Sequence, residues 1–373
     1  MGGLPAFLHP PAYYAIRTAA ALPLILPPRE SIRCARDLAR RWAGAPMNRA
    51  RLRRAAANLA FVYPDWDEDR RLGLAVRAYE HLFMLGVEVA LTPRLMNEEG
   101  WLRHVELDRV DGALRALMRG RPTVMITGHC GNWELLGYVV ALLGYPVHAL
   151  YRPLDMRPLD RWLRQSRERR GMTLVDKFGA MHEMPRILAK GAPMGIVADQ
   201  NAGDRGMFVP FFGRLASTYK SIGLLAIRFR TPVVVGQARR LGWNSVRDRP
   251  VEHGFSAGDR ADDDCGVRYR VEMVDEIMPE EWEAQPDPLF YLTARYRRAI
   301  ETMVRSAPEQ YLWMHRIWKS RPRHEREGRP FPPSLREKLR ALPWMTEGEV
   351  ARIEEQSARD AAFLTQHGLD RLP

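Results

Sequence analysis

Residues 123–134 read Thr-Val-Met-Ile-Thr-Gly-His-Cys-Gly-Asn-Trp-Glu, and this stretch decides the fold. Thr123–Thr127 is a short β-branched, apolar run, and the Gly-Asn pair after it marks a turn. Trp133–Leu143 then continues as an apolar helix. A strand passing into a helix through a tight turn is one unit of an α/β sheet. In open sheets of that class, ligands gather where strands end, which is where His129 stands.

Working outward, the same alternation recurs. Val147–Tyr151, Met194–Ala198 and Val233–Gly236 read as strands. Leu159–Arg170, Met181–Lys190 and Ser221–Arg230 read as helices between them. The pattern predicts an α/β fold: a largely parallel, twisted sheet flanked by helices on both faces, with a helical N-terminal region. Val267–Val274 is a further strand, expected at an edge, and Pro288–Ser306 an amphipathic helix. Asp67–Leu91 carries an apolar stripe at helical spacing between Pro64 and Pro93. Residues 1–30 form a short apolar membrane-interface segment, 31–120 a helical N-terminal region, 121–322 the α/β domain and 323–373 a charged C-terminal tail. That tail ends in a helix over Glu347–Leu364.

Lys and Arg total 57 against 45 Asp and Glu, giving a formal net charge of +12. Such a surface suits an anionic partner: nucleic acid, an acidic protein, or lipid headgroups. No zinc finger, RNP-like motif or recognition helix accompanies the charge, so no nucleic-acid partner is expected. Cys34, Cys130 and Cys265 lie far apart and form no metal-ligand spacing. They predict neither a disulfide framework nor a metal site, and they point to a reducing compartment. Ala15–Pro28 is too short and too rich in proline to span a bilayer as a helix. It reads as an interfacial anchor, or else as a helix packed on the domain. Arg33, Arg36, Arg40, Arg41, Arg51, Arg53 and Arg54 form a basic face that is either solvated or seated on anionic lipid.

His129 and Glu134 are the candidate catalytic pair. On a continuous helix their spacing would set them about 140° apart. The Cys130-Gly131-Asn132 turn between them lets them meet, with Asn132 as helix N-cap. A carboxylate in that first turn can hold one imidazole nitrogen while the other takes a proton from a hydroxyl.

The segment Gly128–Glu134 resembles the His-x4-Glu motif of the lipid A biosynthesis acyltransferases, the late lauroyl and myristoyl transferases. The likeness continues, in the family's order, through Tyr151-Arg152-Pro153-Leu154-Asp155, Arg164 and Arg167 ahead of Gly171, and Asp199-Gln200. It then takes in Phe208–Gly213, Thr218, and Ala307–Arg316, covering roughly residues 50 to 322. The resemblance implies direct acyl transfer from an acyl carrier protein thioester to a hydroxyl of a glycolipid acceptor, with neither metal nor cofactor. It implies that His129 is the general base and that Glu134 orients it. It also implies an enzyme on an anionic membrane surface, at the cytoplasmic face of the cell inner membrane, peripheral or monotopic.

By the same resemblance Arg167 binds an anionic substrate or stabilises the oxyanion. Arg152, Arg164, Asp199, Gln200, Gly213 and Thr218 are further substrate-binding candidates. Each has a plain alternative: a solvated residue for Arg167, turn chemistry and capping for Asp199-Gln200. The Phe208–Gly213 run reads as an apolar wall, and His315 as a bracing residue. Two departures stand out: the family's long N-terminal spanning helix appears here only as the short, proline-interrupted stretch Ala15–Pro28, and Arg214–Thr218 lacks the usual Pro-Ala step. Two other readings remain. One is a relative acting on another glycolipid or aminolipid, such as a phosphatidylinositol mannoside or ornithine lipid. The other is a non-catalytic binder of anionic lipid.

Overall fold

The computed structural model describes residues 9–97, 100–169, 171–241 and 267–372, so Cys265 lies outside the described residues. Helices α1 (His9–Ala21), α2 (Pro28–Ala43), α3 (Arg49–Val62) and α4 (Glu68–Leu95) come first. The Asp67 carboxylate caps α4 by accepting the Arg70 N–H at 2.7 Å. The helix runs on through Pro93 instead of ending before it. The expected basic face of α2 is partly taken up, since Arg36 and Arg40 reach the buried Glu80 of α4 at 3.5 and 2.6 Å.

The α/β part follows the expected alternation. Its elements are β1 (Val105–Asp108), α5 (Asp111–Met118), β2 (Val124–Thr127), α6 (Trp133–Leu142), β3 (His148–Tyr151) and α7 (Arg157–Glu168). Next come β4 (Thr173–Asp176), α8 (Ala180–Ala189), β5 (Met194–Val197), the hairpin β6 (Met207–Phe211) and β7 (Arg214–Thr218), α9 (Lys220–Arg228) and β8 (Val233–Arg240). Then follow β9 (Tyr269–Ile277), α10 (Pro279–Glu283) and α11 (Pro288–Ser306). The main sheet has seven strands in the order β1-β9-β8-β2-β5-β3-β4. All neighbours are parallel except the antiparallel pair β8–β9.

The strand expected at an edge is therefore internal: β9 lies between β8 and β1. The edge on that side is β1, a four-residue strand from the stretch read as wholly helical, and the other edge is β4. Its Val-Glu-Leu-Asp sequence is too short and too polar to announce a strand. Helices α5 and α6 cover one face of the sheet through Leu117, Leu135, Val139 and Val140. Helices α8, α9 and α11 cover the other in the main core.

The tail also folds onto the domain, as α12 (Arg323–Arg326), α13 (Pro333–Arg340) and α14 (Glu347–His367). Arg321, fully buried, donates to Glu325 at 2.6 and 2.9 Å, to Asp360 at 2.8 Å and to the Leu215 carbonyl at 2.6 Å. A guanidinium out of water needs such saturation, because a buried unpaired charge costs several kcal/mol. Asp360 also accepts from Arg214, so α14 clamps the β6–β7 hairpin. Among the described residues, no helix is long and apolar enough to cross a membrane.

Candidate active site

His129 follows the end of β2, and Asp199 follows the end of the adjacent strand β5. Their side chains meet, with His129 Nδ1 to Asp199 Oδ1 at 2.7 Å. The carboxylate at the imidazole is thus Asp199, not Glu134 as the spacing suggested. Glu134 points instead to Arg167 on α7, which donates to it bidentately at 2.9 and 2.5 Å. The turn works as expected but aims Glu134 at the neighbouring helix. A five-donor fork matches a carboxylate better than a single imidazole nitrogen does.

Electrostatics fix the protonation pattern. Burial would raise the Asp199 carboxyl, but His129, His315 and Arg297 outweigh it and hold it well below the usual carboxylate range. An ionised carboxylate can only accept, so Nδ1 of His129 donates, and in the neutral imidazole it is Nε2 that carries the lone pair. For His129 burial pulls the pKa down, yet the charge and hydrogen bond of Asp199, with Glu134 further off, carry it above the ordinary histidine value. His315, its ring 5.0 Å from that of His129, is pushed down to about 4 by burial and by His129 itself. It is therefore neutral at pH 7.

The loop under the base is held from three sides. Gly131 has φ of +59°, and a Cβ there would lie 2.2 Å from the Ala238 carbonyl, so only glycine fits. Asn132 N–H donates to that carbonyl at 2.7 Å, while the Asn132 side chain caps α6 at Leu135 N–H and donates to Glu88 at 3.1 Å. Glu88 in turn pairs with the buried Arg240 and accepts from the Tyr269 hydroxyl. From the C-terminal side, Gly131 N–H donates to the Gln310 carbonyl at 3.0 Å and Leu312 N–H to the His129 carbonyl at 3.1 Å. His81 Nε2 lies 2.9 Å from the Gly131 carbonyl.

A cavity of about 620 Å³ opens at this point, a size within the range of small-molecule sites. His129, Glu134, Arg167, Arg164, Arg152 and Gln200 line its polar part, as does Lys177. Its interior is apolar, running between α6 and the sheet. Arg164 stands 5.4 Å over the Tyr151 ring and 3.4 Å from Glu168. Two expected site residues are not brought here. Gly213 sits with Phe212 in the tight β6–β7 turn, both at positive φ. Thr218 is buried at the end of β7 and donates to the Ala216 carbonyl at 3.1 Å. Its neighbour Tyr219 does line the cavity.

Arg297 was missed by the sequence reading. It is fully buried on α11, 3.9 Å over the Phe211 ring, and it donates to the Ala198 carbonyl at 3.2 Å, next to Asp199. Its signal was an arginine standing among Phe290, Thr293, Ile300 and Val304 at helical spacing. Cys130, beside the base, is buried in the core, and burial pushes its thiol far above the ordinary range. It is no nucleophile. Cys130→Ala should therefore retain most activity, measured as turnover of the acyl donor, and an acyl adduct trapped on Cys130 would contradict this.

A His–Asp pair thus stands at the mouth of an apolar cavity, where the central strands β2 and β5 end, with arginines on the cavity lining. The chain belongs to the bacterial lipid A biosynthesis acyltransferase family, whose profile matches residues 1–246. It is similar to the lipid A biosynthesis palmitoleoyltransferase of Escherichia coli strain K12, 23% identical over 271 residues, 72% of this chain and 78% of the relative. The lipid A biosynthesis lauroyltransferase of the same strain is 25% identical over 271 residues, 71% and 78% of the two chains. A lipid A biosynthesis acyltransferase of Haemophilus influenzae is 23% identical over 290 residues, 75% and 79%.

Proposed function

We propose that this acyltransferase moves a fatty acyl group from the thioester of an acyl carrier protein to a hydroxyl of a lipid A precursor. The observation that carries the reading is the 2.7 Å His129–Asp199 contact at the mouth of the apolar cavity. Nε2 of His129 takes the proton from the acceptor hydroxyl, whose oxygen attacks the thioester carbonyl. The C–S bond breaks, and the leaving thiolate takes the proton back from the imidazolium, which Asp199 has stabilised meanwhile. Glu134 holds Arg167 at the rim, where its positive charge faces the oxyanion or an acceptor phosphate. A positioned base of this kind contributes about 10²–10⁴-fold in rate. Incubating purified protein with acylated carrier and lipid A precursor should add one acyl chain to the precursor by mass spectrometry. Acylation of a different glycolipid or aminolipid instead would reassign the acceptor.

The membrane reading draws on the N-terminus. Leu22, Ile25 and Leu26 are exposed beside the basic α2. We assign this patch to the anionic membrane surface, as an interfacial anchor.

The donor reading draws on charge. Carrier proteins of this kind are strongly acidic, and α7 presents Arg157, Arg161 and Arg164 close to the cavity. Arg295 is engaged by Asp275 and Glu281 at 2.9 and 2.5 Å and is no part of this patch. Steering by exposed charge weakens as the Debye length falls from ~10 Å at 0.1 M to ~3 Å at 1 M salt. Raising salt should therefore increase the apparent KM for acylated carrier far more than it lowers kcat. The assay belongs in neutral detergent micelles, and a KM indifferent to salt there would assign the charge to the membrane instead.

A further inference from the structure

We infer that Arg51, Arg54 and Arg316 form a second anion site beside the base, one that takes a phosphate monoester of the glycolipid acceptor. The inference rests on the acyl-transfer reading and adds how the acceptor is held. The three arginines come from two segments that pack on each other. Asn58 of α3 donates to the Trp313 and His315 carbonyls at 2.8 and 2.9 Å. One turn earlier, Arg54 donates to the Met314 carbonyl at 3.4 Å. Arg51 lies three residues before Arg54 on the same helix face, and Arg316 follows His315 directly in the chain.

The charge of this cluster is uncompensated. Among the described residues no carboxylate pairs with Arg51, Arg54 or Arg316, whereas Arg40, Arg214 and Arg336 each hold one at 2.6 Å or less. Arg54 is half-buried, and burial, Arg316 and Arg51 pull its guanidinium below the ordinary arginine range. A phosphate dianion relieves such crowding of like charges, because planar guanidinium forks donate to its oxygens. The start of α3 favours an anion as well. Its first turn carries no acidic residue, and the Asn48 side chain serves Tyr79 and the Ala43 carbonyl instead of capping the helix.

The cluster stands apart from the rim already described, since none of the three arginines lines the cavity with Arg167. It is close to the chemistry all the same. The His315 ring lies 5.0 Å from that of His129, and Arg54 joins burial and His129 in pushing the His315 pKa down to about 4. A phosphate held here sets the acceptor on the His315 side of the base and leaves the apolar cavity to the acyl chain.

The test compares two acceptors, lipid A precursor and the same precursor stripped of its phosphates, with acylated carrier as donor. Arg316→Ala and Arg51→Ala should each raise the apparent KM for intact precursor about tenfold, the usual worth of one charged hydrogen bond. The KM for acylated carrier should stay where it is. Arg54→Gln should cost more, and melting temperatures show whether losing its bond to Met314 has cost the fold. The two exposed arginines decide in that case. With stripped precursor, wild type and variants should share one lowered kcat/KM, since a phosphate-binding group then has nothing left to lose. A merely structural role would damage both acceptors alike. An unmoved KM for intact precursor in folded variants, an equal loss with stripped precursor, or a raised carrier KM overturns the inference and leaves the acyl-transfer reading standing. No transfer to intact precursor by the wild-type enzyme overturns that reading, and this inference with it.

Discussion

His129→Ala is expected to lower acyl transfer by about two orders of magnitude or more, the loss that follows removal of a positioned general base. The effect should fall on kcat. In the proposed mechanism the apolar cavity binds the acyl chain and the arginine rim the acceptor, and neither depends on the imidazole. The fold should survive, because the loop is held by its backbone through Gln310, Leu312 and Ala238, not by the His129 ring. Single-turnover assays with acylated carrier check this directly. Near-wild-type rates would remove His129 from the chemistry and sink the mechanism.

Asp199→Asn is expected to be nearly as damaging, by about 10²-fold or more, although it changes only one atom's chemistry. The amide can offer its NH₂ to Nδ1 and so hold the ring in the wrong tautomer, with the proton on Nε2. The equivalent change in serine hydrolases lowers turnover about 10⁴-fold. A pH profile separates this from a merely structural loss. Wild-type kcat/KM should rise with pH through a limb above the ordinary histidine value of about 6.5, because the base works only when neutral and its pKa is raised. Without the Asp199 charge, burial acts with less opposition and the limb should move to lower pH, beneath a lower plateau. An unmoved limb would mean that another group titrates. Since His129 and Asp199 act as a unit, combining the two changes should cost little more than His129→Ala alone.

What the sequence disclosed and what it hid divide along a physical line. The β2–turn–α6 unit was legible because its signals are local: a β-branched run, a glycine needing positive φ, and an asparagine that caps. The Glu134 side chain was misdirected for the opposite reason. Its partner Arg167 and the true partner of His129 are set by which strands and helices lie side by side, and β5 lies next to β2 only through the sheet order. Asp199 was rightly placed at a strand end, but a lone Asp-Gln at a turn does not say what it faces. Arg297 broke an apolar stripe, which is a signal that periodicity reading tends to pass over as a solvated residue. Edge strand β1 carried too few residues to show any period. The hairpin turn uses Phe212 and Gly213 in its own backbone, both at positive φ, and Gly213 is not on the cavity lining. The cavity had no motif at all, its lining being drawn from α5 to α9 and from all seven strands of the main sheet.

The clasp on the catalytic loop also orders events in time. A chain leaves the ribosome from its N-terminus, so β2, His129 and the cavity roof emerge long before the segment around Gln310 and Leu312. Until that segment arrives, the loop lacks two of its backbone anchors, and Asp199 waits for the Arg297 beneath it. The site is therefore completed late, once the chain has been made as far as Leu312.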